Sequence, residues 1–273
     1  ISMLWRYFFT KQIFMFPAER IAINVFSKDL SLKRIKLIEE LSRSTDPKSL
    51  IERQTSRYPL PILNNLIISE DLDALQKNIS TYNYIADEIE ILLNGKINIS
   101  EYGQMKFNPD NNGNVNLDIH LTGSSVKSLA GLVFYFRHLA KEGDYIIIDE
   151  PELTLHPDNQ KKIARIIATM INAGFKVIAS THSDYIIKEI NNLIMLSKEV
   201  KNKDELLKKY GYKKNELLKP EQVEALLFKV GNRKPEKINI TETGFTVETI
   251  DTVIESLDTE TEDIYFQIFE KAQ

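Results

Sequence analysis

The chain has 273 residues and a formal charge of −4, with 35 Lys and Arg against 39 Asp and Glu; 42% of it is hydrophobic and 27% charged. These proportions are those of ordinary globular protein and exclude a disordered or fibrous chain; the slight acidity argues against a dedicated nucleic-acid binder. The absence of cysteine excludes a disulfide scaffold, a thiol nucleophile and a Cys-based zinc site, and four histidines (His120, His138, His156, His182) argue against a dense His metal site.

The chain opens at Ile1 in a dense apolar stretch broken by Arg6 and Lys11, without a small-residue cleavage site. It reads as part of a domain that began earlier rather than as a signal peptide. No run approaches the roughly 18 apolar residues of a membrane span, and a soluble, cytoplasmic protein is expected. Residues 11–16 are β-prone and stop at Pro17, predicting a strand that enters a loop with Glu19 and Arg20. From 27 to 95, apolar residues such as Leu30, Leu37, Leu41, Leu63 and Leu72 recur with rough helical period, and a helix over 84–93 closes this block at Asn94-Gly95. A hairpin follows, with Ile97, Ile99, Met105 and Phe107 before the turn at 110–113 and Val115, Leu117, Ile119 and Leu121 alternating after it.

A helix is predicted from about 126 to 141, then Tyr145-Ile146-Ile147-Ile148, an apolar strand of the kind buried on both faces of a parallel sheet. A helix over 159–172 and a second buried strand over 176–180 complete a βαβ unit, so the middle of the chain is α/β. Beyond Leu196 come a Lys-rich stretch at 197–219, a second hairpin over 223–230 and 237–247, and helices over 248–257 and 262–271. The lysines at 201–219 are interleaved with acids and read as a solvated helical face.

The chemistry concentrates where the two buried strands end. The first emits Asp149 and Glu150 at its carboxyl edge, where α/β sheets bind ligands. Adjacent carboxylates there suit a shared divalent cation, Asp149 holding Mg²⁺ and Glu150 polarising a water that attacks a γ-phosphate. A solvated Asp-Glu turn is the structural alternative. The second strand ends in Ser180-Thr181-His182-Ser183, and a histidine at the same edge can donate to a γ-phosphate oxygen. The pairing at βαβ spacing favours function over a structural histidine. Between them, Asp158 caps the following helix or reaches a subunit interface. Finally, Leu121-Thr122-Gly123-Ser124-Ser125-Val126-Lys127 runs a strand through a hydroxyl-rich turn into a helix N-terminus, an anion site or an ordinary cap.

These segments resemble ABC-type ATPase heads. YIIIDEPELTLHPDNQ looks like their Walker B and D-loop, VIASTHSDYII their switch-histidine strand, and LTGSSVKSLAGL a degenerate signature. The wording is most similar to SMC-like, overcoming-lysogenization-type AAA-family ATPases of bacterial antiphage defence and DNA repair. The resemblance covers about 118–196, with FPAER at 16–20 matching loosely. It implies Asp149 as the Mg²⁺ ligand, Glu150 as general base, His182 as γ-phosphate switch and Asp158 as the D-loop aspartate. Thr122, Gly123, Ser124, Ser125 and Lys127 would meet ATP as the signature, although serines stand where glycines are usual.

No Gly-x4-Gly-Lys-Ser/Thr motif occurs; Gly95-Lys96 is followed by Ile97 and preceded by Glu90 in place of the first glycine. The resemblance places Walker A ahead of Ile1. The expected molecule is therefore α/β, the C-terminal part of an ABC-type P-loop NTPase head: core at 1–26 and 116–196, helical insertion plus hairpin at 27–115, and a small β/α extension at 197–273. The resemblance implies an ATPase, inactive as this chain alone, whose heads form a dimer or higher oligomer around ATP and Mg²⁺. Its output would be an effector nuclease or DNA. A non-catalytic assembly module that takes its P-loop from a partner is the second expectation. A DNA repair ATPase is the third, weakened because the helical block is too short for coiled-coil arms.

Overall fold

Apolar strands alternating with amphipathic helices have to bury both against one another, and the chain does so in two compact units, Ile1–Thr181 and His182–Gln273. The structure, a computed structural model, describes residues 12–23, 61, 62, 65, 72–101, 103–110 and 115–270. The division falls inside the stretch assigned above to the ATPase core. Most of the helical block at 27–71 lies outside the described residues.

In the first unit, the described elements begin with β1 (Ile13–Phe16), which runs into a helical turn at residues 20–23, and further along the chain include α1 (Leu72–Leu75) and α2 (Asn83–Leu93). Helix α2 stops at Asn94, which adopts the left-handed conformation (φ 53°) and donates its amide to the Glu90 and Ile91 carbonyls. The predicted hairpin is three antiparallel strands, β2 (Gly95–Ile99), β3 (Met105–Pro109) and β4 (Leu117–Asp118). Gly95 permits the close β2–β3 approach, because a Cβ there would meet the Phe107 ring and the Asn108 carbonyl. The last strand is far shorter than the alternation of 115–121 suggests. Residues Ile119–Leu121 form a 3-10 turn instead, and Thr122 Oγ1 donates to the Ile119 carbonyl at 2.6 Å, holding that turn closed.

Helix α3 (Ser124–Phe134) starts two residues before its predicted beginning, and a π-helical turn at Tyr135–Leu139 ends it. Then come β5 (Tyr145–Asp149), α4 (Pro157–Asn172) and β6 (Lys176–Ser180). The sheet order is β1-β5-β6 with both pairs parallel, so β5 is central, Ile13 and Lys176 flanking Tyr145. Ile146 and Ile148 are buried, each contributing about 1.5–3 kcal/mol over an exposed side chain. His156, not Asp158, caps α4: its Nδ1 accepts from the Asp158 amide at 3.4 Å. Pro157 takes the first helical position, its preset φ moving the cap one residue back and leaving Asp158 in the first turn.

The core lies where α2 meets α3, the π turn and α4, around the buried Ile85, Ala86 and Ile89. Tyr135 packs on Phe14 with ring centroids 4.3 Å apart and donates to Asp144 Oδ2 at 2.9 Å. Burial, then the charge of Asp144, holds the phenol well above its ordinary pKa. Asp144 is itself buried and also accepts from the amides of Gln12 (3.2 Å) and Lys141 (3.0 Å), tying the starts of β1 and β5 together.

The second unit holds α5 (Asp184–Met195), α6 (Lys203–Tyr210), a hairpin of β7 (Ala225–Leu227) and β8 (Glu236–Ile238), and α7 (Glu248–Tyr265). The Lys-rich stretch is solvated: Lys214 pairs with Asp204 at 3.0 Å and both are exposed. Asn191 brackets the loop before α7, accepting from the Phe245 amide at 2.9 Å and donating to its carbonyl at 2.7 Å. The two helices predicted after 248 are one. Thr259 and Thr261 donate their hydroxyls to the carbonyls of Glu255 and Leu257, at 2.8 and 2.7 Å, so groups that favour a break are absorbed by the helix. Among the described residues, no helix is long and apolar enough to cross a membrane.

Candidate active site at the carboxyl edge of the parallel sheet

β5 delivers Asp149 and Glu150 to the edge of the sheet because its apolar run ends there and Pro151 cannot continue a ladder. Asp149 stands opposite Ser180, the last residue of β6, whose hydroxyl donates to Asp149 Oδ1. The next residue turns sharply. Glu150 has φ 46°, the left-handed region that glycine prefers. Its amide donates to the carbonyl and hydroxyl of Ser180, each at 3.2 Å. Its carbonyl accepts from the Leu153 amide at 3.0 Å.

The remaining anchor is Arg20, only 3% exposed. Its Nη1 donates to the Asp149 carbonyl at 2.6 Å and its Nη2 to the Glu150 carbonyl at 2.8 Å. Nη1 also reaches the Pro17 carbonyl (3.2 Å), and Nε donates to Ser128 Oγ in α3 at 2.8 Å. One guanidinium thus fixes the backbone of both acidic residues and links it to the helix that follows Thr122–Gly123. Burial pulls its pKa below the ordinary value, opposed by the nearby carboxylates of Asp149, Glu152 and Glu150. The arrangement leaves Asp149 exposed and Glu150 half-buried, with main-chain acceptors occupied and carboxylates available.

Thr122 and Ser125 are half-buried, Gly123 and Ser124 exposed and Lys127 half-buried, all at the start of α3. Gly123 occupies the cap position with no side chain to satisfy the first-turn amides. The N-terminus of an 11-residue helix and the acidic strand end therefore share one unit and one clamp. The loop after β5 makes tight turns, Thr154 also being left-handed at φ 67°, and the first turn of α4 presents Asp158 to solvent. Thr181 Oγ1 donates to Glu152 Oε1 at 2.8 Å, fastening that loop to the end of β6. His182 is exposed and is the first residue of the second unit. Ser183 beside it caps α5, accepting from the Ile186 amide at 3.2 Å.

Hard oxygen donors converge at Asp149 and Ser180, and among the described residues no group of three or more His, Cys, Asp or Glu side chains forms a cage. That donor set fits Mg²⁺, which takes one or two protein ligands and fills its octahedron with water and phosphate oxygens. Arg20 and Ser128 escape a sequence search for site residues; the single hint is the Phe-Pro-Ala-Glu-Arg run after β1.

The family model described as AAA ATPase domain matches residues 6–187, two thirds of the chain, from ahead of β1 into α5. No curated protein matches it. Domains of this kind bind and hydrolyse ATP, and the α/β core with a parallel sheet is that of a P-loop NTPase. The chain belongs to the AAA ATPase domain family.

Proposed function

We propose that the chain is the C-terminal part of an ABC-type, SMC-like ATPase head that dimerises around ATP and Mg²⁺, coupling nucleotide state to an effector nuclease or to DNA in bacterial antiphage defence. The observation that carries this is the strand end at Asp149-Glu150, locked by Arg20 and Ser180 and tied to the exposed start of α3.

Glu150 accepts a proton from water as its oxygen attacks the γ-phosphorus; the bond to the β–γ bridging oxygen breaks, and ADP leaves with the electron pair. The fixed main chain at Glu150 supplies the orientation such a base needs. Asp149 and Ser180 would hold Mg²⁺, which neutralises charge on the β- and γ-phosphate oxygens. His182 donates to a γ-phosphate oxygen, and the first-turn amides of α3, with Ser124 and Ser125, face nucleotide held by a second head. Asp158 reaches across the same interface, and Lys127 sets the register of the signature.

In the protein completed with a P-loop segment, E150Q lowers turnover by about a hundredfold or more, the span of a lost general base, while ATP stays bound; turnover at the parental rate sinks the mechanism. The absence of a P-loop motif from these 273 residues favours a second proposal, an assembly module whose phosphate cradle comes from a partner or another segment. Complementation by a P-loop-bearing partner chain distinguishes the two, and DNA-stimulated turnover would favour a repair or recombination role.

A further inference from the structure

Helix α7 carries an apolar stripe that is half-buried at Ile250 and Ile254 and that nothing among the described residues covers from Leu257 onward. Every residue from 255 to 269 is exposed, including Leu257 (56%) and Ile264 (58%). At 3.6 residues per turn, Ile250, Val253, Ile254, Leu257, Thr261 and Ile264 share about 100° of one face. Ile250, Ile254, Leu257, Thr261 and Ile264 alternate steps of four and three, the spacing of a coiled-coil seam. An 18-residue helix rich in Thr and Ile and without Ala is marginal alone in water, so burying the seam is what stabilises it.

Charge selects the occupant. Between Glu248 and Tyr265 there are seven acidic residues and no Lys or Arg, and Asp258 and Glu260 flank the seam on opposite sides. A second copy of α7 would meet the same acids, and nucleic acid or an anionic bilayer is repelled in the same way. We propose that α7 is a docking helix for a basic amphipathic helix of a partner protein, seam against seam, with Lys or Arg beside Asp258 and Glu260.

The test is fluorescence anisotropy of the full chain with a labelled synthetic peptide of about three heptads, Leu at the seam and Lys beside it. Micromolar binding is expected, weakened at least about tenfold by L257D/I264D and by raising salt from about 50 to 300 mM. A Leu/Glu peptide and a scrambled Leu/Lys peptide should bind at least as weakly as that. Charge reversal in D258K/E260K should transfer the preference to the Leu/Glu peptide, a gain that misfolding cannot produce. Equal binding of the scrambled peptide, indifference to L257D/I264D, or no binding overturns the proposal. So does a dimer in light scattering that L257D/I264D dissolves, because the occupant would then be a second copy.

Discussion

Glu150 pays for its position in backbone strain. A side chain at φ 46° is disfavoured by about 1–2 kcal/mol, and the residue is kept there by the Arg20 donor on its carbonyl and by Ser180 on its amide. The usual ranking of glycine below alanine should therefore invert at this position. E150G is expected to be more stable than E150A by about 1 kcal/mol in urea denaturation of the full chain, while both remove the carboxylate and, in the protein completed with a P-loop segment, are expected to lose turnover. Alanine equal to or better than glycine would mean that the turn relaxes once the carboxylate is gone. The pair separates the conformational cost of the site from its chemistry. It also shows why the clamping role of Arg20 cannot be read from the sequence, which shows only its place in the Phe-Pro-Ala-Glu-Arg run: its acceptors are main-chain carbonyls and a serine more than a hundred positions away, and a carbonyl leaves no trace in a side-chain pattern.

Glu90 joins three elements. From α2 it accepts the Ile97 amide of β2 at 2.8 Å and pairs with Arg137 of the π turn at 2.7 Å. Burial raises its pKa above the ordinary 4.5, outweighing the Ile97 amide and Arg137, which act to lower it. The folded chain then holds this proton more tightly than the unfolded chain, so the contribution to stability falls as pH rises above 4.5. E90Q keeps an acceptor for Ile97 and cannot ionise. Its stability relative to the parent should accordingly improve between about pH 4.5 and pH 7 in urea titrations; a difference that moves the other way would make the Arg137 pair dominant. Elements differ in legibility. β5 and β6 can be read from sequence to within a residue because each is a short apolar run with abrupt polar ends; the expected burial of the second is not met, since among the described residues four of the five positions of β6 are exposed. The short β4 and the unbroken α7 cannot be read in this way, because hydroxyls of Thr122, Thr259 and Thr261 bond to nearby carbonyls in a way that composition does not predict.

At the scale of the molecule, the proposed function pairs an acidic strand end at Asp149-Glu150 with a sequence that carries no P-loop motif. A P-loop contributes consecutive amides and a lysine to the phosphates, and the 273 residues lack that motif. The sheet has a place for its strand. Among the described residues β6 pairs on one side only, and Ile178 is 58% exposed in a sheet type that is normally covered. Adding a parallel strand there would bring its carboxyl end to the edge where Asp149, Glu150 and Ser180 already stand. Calorimetry of the chain alone with ATP and Mg²⁺ is therefore expected to show no binding up to about millimolar nucleotide, a loss of some 4 kcal/mol or more against a micromolar site. Adding a P-loop-bearing segment in trans should restore binding and slow hydrogen exchange at the Val177, Ile178 and Ala179 amides, since the new strand takes up the open edge. Tight binding by the chain alone would assign the phosphates to the first turn of α3 instead. Restored binding without protection of β6 would keep the shared site and move the incoming segment off this edge.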